Sequence, residues 1–248
     1  MKVYLARWIC TEPDLNLEKV SAEAEKAASS GAEVVVFPES FLHGYRRSVA
    51  PQSARNVFTE TSEAHSSTLY FFGSFSEERR NRMTVWKAGR EIARYDKVHL
   101  FEPNGEKEMW SPGNCYAAVR TGEHVIGLLN CNDLRFPEQA MRLRLEAGCD
   151  AFVVVAWWPW RRDHVWRNLL RARAIENHAW VLGCCVAASE HRLENFAGAG
   201  NYVFNPWGEQ IYTEDDNIYV LECNQERAAL VDPLREAMDV GEIKIFEE

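Results

Sequence analysis

Short apolar runs along this chain alternate with longer stretches in which apolar residues recur at helical spacing. The runs predict strands at Val3–Trp8, Val34–Phe37, Leu69–Phe75, Val125–Cys131, Phe152–Trp157, Trp180–Ala187 and Ile218–Glu222. The amphipathic stretches predict helices at Leu17–Ser29, Pro137–Ala147, His164–Asn177 and Gln225–Met238. Hairpins are predicted for Arg82–Lys87 with Glu91–Lys97 and for Tyr202–Asn205 with Gln210–Thr213. Strands that alternate with helices in this way indicate an α/β fold.

One local pattern occurs twice. Residues 29–38 and residues 146–155 each contain a helix end, a glycine, an acidic residue and then an apolar strand. Two similar halves would favour a pseudo-symmetric architecture with two sheets. A helix-to-strand turn in any α/β protein has the same appearance, so the repeat supports both interpretations equally.

The composition favours a single domain and argues against proteins that bind nucleic acids or membranes. The 248 residues contain no Ser/Gly-rich linker and no long charge block, which predicts one domain over residues 1–248. The net charge of -9 argues against a nucleic-acid surface, although Arg161, Arg162, Arg167, Arg171 and Arg173 form a local basic cluster. No apolar run has the length of a membrane span, and the first residues do not resemble a signal peptide. We therefore expect a cytoplasmic protein that does not bind membranes.

The cysteine spacing argues against a metal site. The chain has 7 cysteines, none of them in a C-x-x-C pair and none beside a histidine that would complete a zinc set. In the cytoplasm they should be reduced, and most of them should be small core residues. We expect neither a metal nor a cofactor.

Three chemically active residues each follow or end a predicted strand. Glu39 comes just after Val34–Phe37, Lys97 ends the second hairpin strand, and Cys131 ends the run Val125–Cys131. A carboxylate, an ammonium and a thiol suit covalent acyl transfer, in which they serve as base, charge stabiliser and nucleophile. Taken singly, each is more commonly a packing or solvated residue, so the prediction depends on all three occurring together.

The segments around these residues resemble the Glu–Lys–Cys signature of the nitrilase superfamily, the carbon–nitrogen hydrolases. The similar segments, in chain order, are FPE (37–39), FLHGY (41–45), YDKVHLF (95–101), Glu106 with SPG (111–113), CNDLRFPE (131–138), LLRARAIEN (169–177) and NPWGE (205–209). No one of them is specific, but together they span nearly the whole chain in order.

The resemblance implies a fold, an assembly and a set of roles. The fold would be a four-layer α-β-β-α sandwich, and the protein would form homodimers or larger homo-oligomers. Cys131 would attack the substrate, and Glu39, with a pKa raised by an apolar setting, would accept the thiol proton. Lys97 Nζ and the Asn132 N–H would bind the oxyanion. Glu106 would orient the substrate nitrogen or the lysine, and Tyr45 belongs to the loop after the base.

Asn132 departs from the family pattern, in which tyrosine commonly follows the nucleophile. Asparagine tolerates left-handed backbone geometry better than tyrosine, so a tight elbow at this position stays feasible. The exchange removes an aromatic side chain, which bears on the shape of the substrate and leaves the chemistry intact.

The segment AWWPWRRDHVW (156–166) resembles the Trp-Pro-x-x-Arg…Trp pattern of the omega-amidase branch. The resemblance places Arg162 on an arginine that could grip a substrate carboxylate with two hydrogen bonds. An ion pair with Asp163 or Glu176 is the competing explanation. Trp157 and its neighbours could line an apolar pocket or an oligomer interface.

These observations predict a cysteine-dependent hydrolase that cleaves the C–N bond of a small linear amide and releases ammonia through a thioester. The amide could be an omega-amide of a dicarboxylic or 2-oxo acid. A nitrilase, an N-carbamoyl amidohydrolase and a non-catalytic binding or assembly scaffold remain alternatives. No histidine lies in a local Cys–His hydrolase signature.

Overall fold

The computed structural model describes residues 1–45, 47–190, 196–213 and 217–221. The strands in these ranges are β1 Lys2–Leu5, β2 Ile9–Cys10, β3 Val34–Val36, β4 Leu69–Glu77, β5 Arg80–Lys87, β6 Arg90–Asp96, β7 Ala118–Thr121, β8 His124–Asn130, β9 Ala151–Ala156, β10 Trp180–Cys185, β11 Ala188–Ser189, β12 Phe196–Ala197, β13 Tyr202–Phe204, β14 Gln210–Ile211 and β15 Ile218–Val220. The helices there are α1 Pro13–Ser29, α2 Pro51–Ala64, α3 Glu106–Met109, α4 Pro137–Ala147 and α5 Asp163–Asn177.

Within the described residues, two six-stranded sheets have matching topologies. The first has the order β15-β1-β3-β4-β5-β6 and the second the order β14-β13-β10-β9-β8-β7. Each has a parallel centre, β1-β3-β4 in one and β8-β9-β10 in the other, with antiparallel strands on both sides. The repeated pattern in the sequence therefore does mark two equivalent halves.

The inner faces of the two sheets pack on each other. Val3 and Val36 of the first sheet share one buried cluster with Leu128 and Val155 of the second. Val35, between two inward-facing valines, points to the opposite face of its sheet. A strand with both faces covered has no polar side to show, which is why it appears in the sequence as an unbroken apolar run.

Helices cover the outer faces. Val20 of α1 and Phe58 of α2 pack on the first sheet. Leu143 of α4 and Leu170 of α5 pack on the second. The chain is therefore a four-layer α-β-β-α sandwich, as predicted, and burial of a large apolar side chain in such a layer contributes roughly 1.5–3 kcal/mol.

Two helices need comment. The sequence analysis did not predict α2, whose surface is mostly polar and whose buried side chains are only Ala54, Phe58, Thr61 and Ser62. The predicted helix Gln225–Met238 lies outside the described residues. Over the parts of the chain that the structure describes, no helix has both the length and the apolar character that a membrane span requires.

Candidate active site

Glu39 and Cys131 come to the same region because both follow parallel strands. Glu39 lies three residues after β3, and Cys131 directly follows β8. Lys97 follows β6, where its backbone continues the sheet through hydrogen bonds to Asn81 and Gly113. Carboxyl ends of parallel strands that meet at one end of stacked sheets are a common location for ligand sites.

The Lys97 ammonium hydrogen-bonds to two carboxylates. Its Nζ lies 2.8 Å from Glu39 Oε1 and 2.8 Å from Glu106 Oε1. Glu39 and Lys97 are fully buried, and Glu106 is 1% exposed. Two negative charges and one positive charge therefore lie together away from solvent. Such a buried set is tolerable only when each charge is paired and hydrogen-bonded.

Cys131 joins this set because its thiol lies close enough to Glu39 for each group to shift the pKa of the other. The residue begins a 3-10 turn over Cys131–Arg135, and its φ of 51° places it in the left-handed region. A non-glycine residue there costs about 1–2 kcal/mol. The nucleophile candidate itself thus adopts the left-handed conformation of the elbow, which the sequence analysis discussed only for Asn132. Strain of this kind is typical of functional sites.

The pKa of Glu39 is lowered, which contradicts the prediction that it is raised. Burial raises this pKa, but the positive charge of Lys97, hydrogen bonds from the ammonium and a backbone N–H, and the nearby thiol outweigh burial, so the pKa is lowered. Burial and the charge of Glu39 raise the pKa of Glu106. The prediction treated the setting of Glu39 as apolar, and it overlooked that the buried lysine would favour the ionised form of Glu39.

The pKa of the Cys131 thiol is shifted in the opposite direction, upward. Burial, followed by the negative charge of Glu39, raises the pKa of Cys131 well above its usual range, and Lys97 lowers it by less. In the resting protein the thiol is therefore protonated and the Glu39 carboxylate is ionised. A base and a proton donor thus lie close together, which is the arrangement that general-base activation of a nucleophile requires.

Two further predicted residues contact this set. The Tyr45 hydroxyl donates to Glu106 Oε1 at 3.0 Å, and the Trp157 N–H donates to Glu39 Oε2 at 2.8 Å. The rings of these two residues also meet edge to face, with centroids 5.7 Å apart. Trp157 therefore contacts the base through its backbone N–H, while its side chain packs against the ring of Tyr45.

The Asn132 side chain hydrogen-bonds to the segment that follows Lys97. Its Nδ2 donates to the carbonyl of His99 at 3.1 Å, in the segment after Lys97. Asp133 makes a second link to the same segment, accepting from His99 N at 2.9 Å and from the Tyr95 hydroxyl at 2.6 Å. The turn that carries the thiol is thus hydrogen-bonded to the segment that carries the ammonium.

Sequence reasoning missed Asn81, which contacts all three segments of the site. Its Nδ2 donates to Glu39 Oε1 at 3.0 Å, and its carbonyl accepts from Lys97 N at 3.0 Å. Its Oδ1 accepts from Nδ2 of Asn130, the residue before Cys131, at 3.1 Å. The one available signal was a polar residue inside a strand. The predicted strand began at residue 82 and so excluded Asn81.

Arg162 is not held by either carboxylate considered from the sequence. Asp163 accepts hydrogen bonds from Gly200 N and the Tyr202 hydroxyl, and Glu176 pairs with Arg173 at 2.6 Å. The Arg162 guanidinium carbon lies instead 5.6 Å from the centroid of the Phe101 ring. The competing explanation for this arginine is therefore wrong.

The geometry suits covalent acyl transfer. A thiol lies close to a carboxylate, and an ammonium that hydrogen-bonds to the same carboxylate is available to a developing oxyanion. Among the described residues, no group of three or more His, Cys, Asp or Glu side chains could hold a metal ion.

Comparison with known proteins places this site in a family. The carbon–nitrogen hydrolase family model matches residues 6–222. The omega-amidase YafV of Escherichia coli (strain K12) is 34% identical over 193 residues, which are 75% of this chain and 74% of that protein. A Staphylococcus aureus protein called "Hydrolase in agr operon" is 30% identical over 240 residues, 90% of each chain.

A solved structure agrees at the level of the fold. Nit3 of Saccharomyces cerevisiae, a member of branch 10 of the nitrilase superfamily, superposes with a TM-score of 0.78 at 23% identity and covers 99% of this chain and 97% of its own. The family model extends over most of the chain, and omega-amidases are among the relatives it resembles. The chain therefore belongs to the carbon–nitrogen hydrolases of the nitrilase superfamily and is similar to their omega-amidase-like branch.

Proposed function

We propose that this carbon–nitrogen hydrolase is a cysteine-dependent amidase that cleaves small linear amides and releases ammonia, with Glu39, Lys97 and Cys131 as its catalytic residues. One observation carries the proposal: the Lys97 ammonium hydrogen-bonds to the buried Glu39 carboxylate, and the Cys131 thiol lies close enough to that carboxylate to lower its pKa. Base, nucleophile and charge stabiliser are thus within reach of one reacting carbon.

In the first step, the thiol sulfur bonds to the amide carbon while its proton passes to Glu39. The pKa of Cys131 is raised and the pKa of Glu39 is lowered, so transfer ahead of attack is unfavourable. Proton transfer and formation of the C–S bond therefore occur together. Lys97 Nζ and the Asn132 N–H stabilise the oxyanion, at about 3–4 kcal/mol per well-placed donor. The first N–H groups of the turn have no partner within it, which leaves the Asn132 N–H available.

In the second step, protonated Glu39 gives its proton to the amide nitrogen, the C–N bond breaks and ammonia leaves. The acyl group stays on Cys131 as a thioester. Water then attacks the thioester, Glu39 takes a proton from that water, and the thiol regains the proton as the carboxylic acid product departs. Glu106 stays bound to Lys97 and Tyr45 throughout and keeps the ammonium oriented.

The proposed substrate is an omega-amide, an amide whose other end carries a carboxylate. The similarity to the omega-amidase YafV supports this class. Arg162 also supports it, since its guanidinium makes no ion pair with a carboxylate of the described residues. Nitrile and N-carbamoyl substrates react through the same thiol adduct and belong in the same assay.

The test is ammonia release from a panel of small amides by the wild-type protein and three variants. Cys131→Ala and Glu39→Gln should lose activity by at least about a thousandfold. Cys115→Ala is the matched control, because Cys115 is an exposed thiol, and it should keep wild-type rates. Mass spectrometry of the quenched wild-type reaction should show the acyl group on Cys131. Wild-type rates from Cys131→Ala would refute the proposal. If the wild-type protein shows neither turnover nor an acyl adduct with any amide, the scaffold alternative is favoured.

We also propose that the chain is one domain that works in the cytoplasm as a homodimer or larger homo-oligomer, without a cofactor. Exposed aromatic residues support the oligomer, since Trp160 is 63% and Trp207 is 59% exposed and tryptophan is enriched at interfaces. Light scattering coupled to size-exclusion chromatography measures the oligomeric mass, and a mass of one chain would refute the assembly.

A further inference from the structure

His43 lies in the turn after Glu39, and both nitrogens of its ring bind backbone groups. The residue is only 1% exposed. Its Nε2 lies 2.9 Å from Ser76 N, whose N–H can only donate, so Nε2 accepts and carries no proton. Nδ1 therefore carries the proton and donates to the Gly44 carbonyl at 2.5 Å. The imidazole is thus neutral and is held in one tautomer.

The Gly44 carbonyl belongs to the peptide group that leads into Tyr45. Gly44 has a φ of 63°, and glycine adopts left-handed and right-handed conformations about equally readily. The local sequence therefore does not fix the orientation of this peptide group, and the hydrogen bond from His43 Nδ1 selects one orientation. The direction in which Tyr45 leaves the turn depends on the imidazole.

The other partner of the ring supports the Tyr45 side chain. Ser76 donates its N–H to His43, and its Oγ accepts from Trp110 Nε1 at 3.0 Å. The buried Trp110 ring meets the Tyr45 ring edge to face, with centroids 5.5 Å apart. Ser76 therefore joins the imidazole to the ring on which Tyr45 packs, so both the backbone and the side chain of Tyr45 are held.

Tyr45 reaches the oxyanion side of the proposed active site through Glu106. Its hydroxyl donates to Glu106 Oε1 at 3.0 Å, and the same oxygen accepts from Lys97 Nζ at 2.8 Å. A Tyr45 ring that moved would take one of the two donors from this oxygen and change how the carboxylate holds the ammonium. Because Lys97 stabilises the oxyanion in the proposed reaction, such a change acts on the transition state.

We propose that His43 is a positioning residue for the reaction: it holds Tyr45 on Glu106 and so keeps Lys97 aimed at the oxyanion. The inference rests on the proposed amidase function and deepens it, since it adds a residue that does not touch the reacting atoms. Small displacements of groups around a reacting centre are costly to rate even when their cause lies outside that centre.

The test is a double-mutant cycle on the amide that the wild-type protein hydrolyses fastest. His43→Gln can still reach Ser76 from the place of Nε2, but it loses the donor to the Gly44 carbonyl. His43→Gln and Tyr45→Phe should each lower kcat about tenfold and leave KM within about twofold, since both act on the transition state. The double variant should also lose about tenfold, because the two substitutions break one connection; independent effects would multiply to about a hundredfold.

Two further variants are matched to His43→Gln. His43→Asn places an amide nitrogen where Nδ1 lies, so it keeps the donor to Gly44 and should stay within about threefold of the wild-type kcat. His124→Gln is the control: His124 pairs with Asp150 at 2.8 Å and begins β8, at the end of that strand away from Cys131. It should leave kcat within about twofold of wild type. A His43→Asn protein that loses as much as His43→Gln would overturn the inference.

Thermal unfolding of the same proteins separates this inference from the proposed function. The Tm loss of the double variant should be smaller than the sum of the losses of His43→Gln and Tyr45→Phe, since residues in one hydrogen-bond network are not additive. Such a shortfall without hydrolysis of any amide would refute the proposed function and leave the hold of His43 on Tyr45 supported. Hydrolysis with kcat losses that multiply to about a hundredfold would overturn the inference and leave the amidase in place.

Discussion

Replacing Lys97 with methionine would remove the ammonium that two buried carboxylates share. Methionine has nearly the length of lysine and keeps the apolar stem packed. Glu39 and Glu106 would then lie side by side, each having lost a 2.8 Å ion pair, in a site that is almost closed to solvent. The variant therefore isolates the charge of Lys97 from its bulk.

Coulomb's law sets the scale of the loss. At 2.8 Å and an effective dielectric constant of about 20, each contact is worth about 6 kcal/mol before desolvation of the ammonium is subtracted. Removing one partner from a buried pair typically costs about 3–5 kcal/mol, and we expect Lys97→Met to lower the free energy of unfolding by that amount near pH 8.

The loss should depend on pH with a definite sign. Without the ammonium, burial and mutual repulsion raise the pKa values of both carboxyl groups above those in the unfolded chain. A carboxyl group whose folded pKa is raised destabilises the protein above its unfolded pKa, and the penalty disappears as the pH falls below that value. Lys97→Met should therefore be closer to wild type near pH 5 than near pH 8.

Urea denaturation of wild type and Lys97→Met at the two pH values measures this difference. Lys107→Met is the matched control: Lys107 pairs with Glu102 at 2.6 Å on the surface, where such a pair contributes at most about 1 kcal/mol. Adding Glu39→Gln to Lys97→Met should restore part of the stability. A Lys97→Met protein within about 1 kcal/mol of wild type at pH 8, or a loss that is equal at both pH values, would refute the reasoning.

Two further substitutions test how the base is held. Asn81→Ala removes a hydrogen bond to the Glu39 carboxylate, which favours the ionised form, so the pKa of Glu39 should rise. Because the base acts when ionised, the acid limb of kcat/KM should move to higher pH by roughly 0.5–1 unit; an unmoved limb with a lower plateau would mean that Asn81 acts otherwise. Gly73→Ala would place a methyl group 2.0 Å from the Pro38 carbonyl oxygen, next to Glu39, and should lower both stability and activity. In Gly122→Ala the methyl group meets no atom within 4 Å, and the positive φ alone should cost about 1 kcal/mol. Equal thermal melts for the two glycine variants would contradict the close contact at Gly73.

Local sequence determined most of the secondary structure. Unbroken apolar runs marked the parallel strands, because strands covered on both faces need no polar side. The helix Pro137–Ala147 was predicted with its observed bounds, since Pro137 begins it and Gly148, in a left-handed conformation, ends it. The helix α2 escaped prediction because tertiary packing, more than its own pattern, stabilises it.

The sequence by itself also determined the candidate residues Glu39, Lys97 and Cys131, because their order along the chain matches a family signature. Only the tertiary structure decided how they are charged and what surrounds them. The ionised state of Glu39 depends on Lys97, 58 residues away, and on a backbone N–H 118 residues away. Asn81 emerged for the same reason: stacked sheets bring distant segments into contact, and no local pattern encodes which side chains meet there.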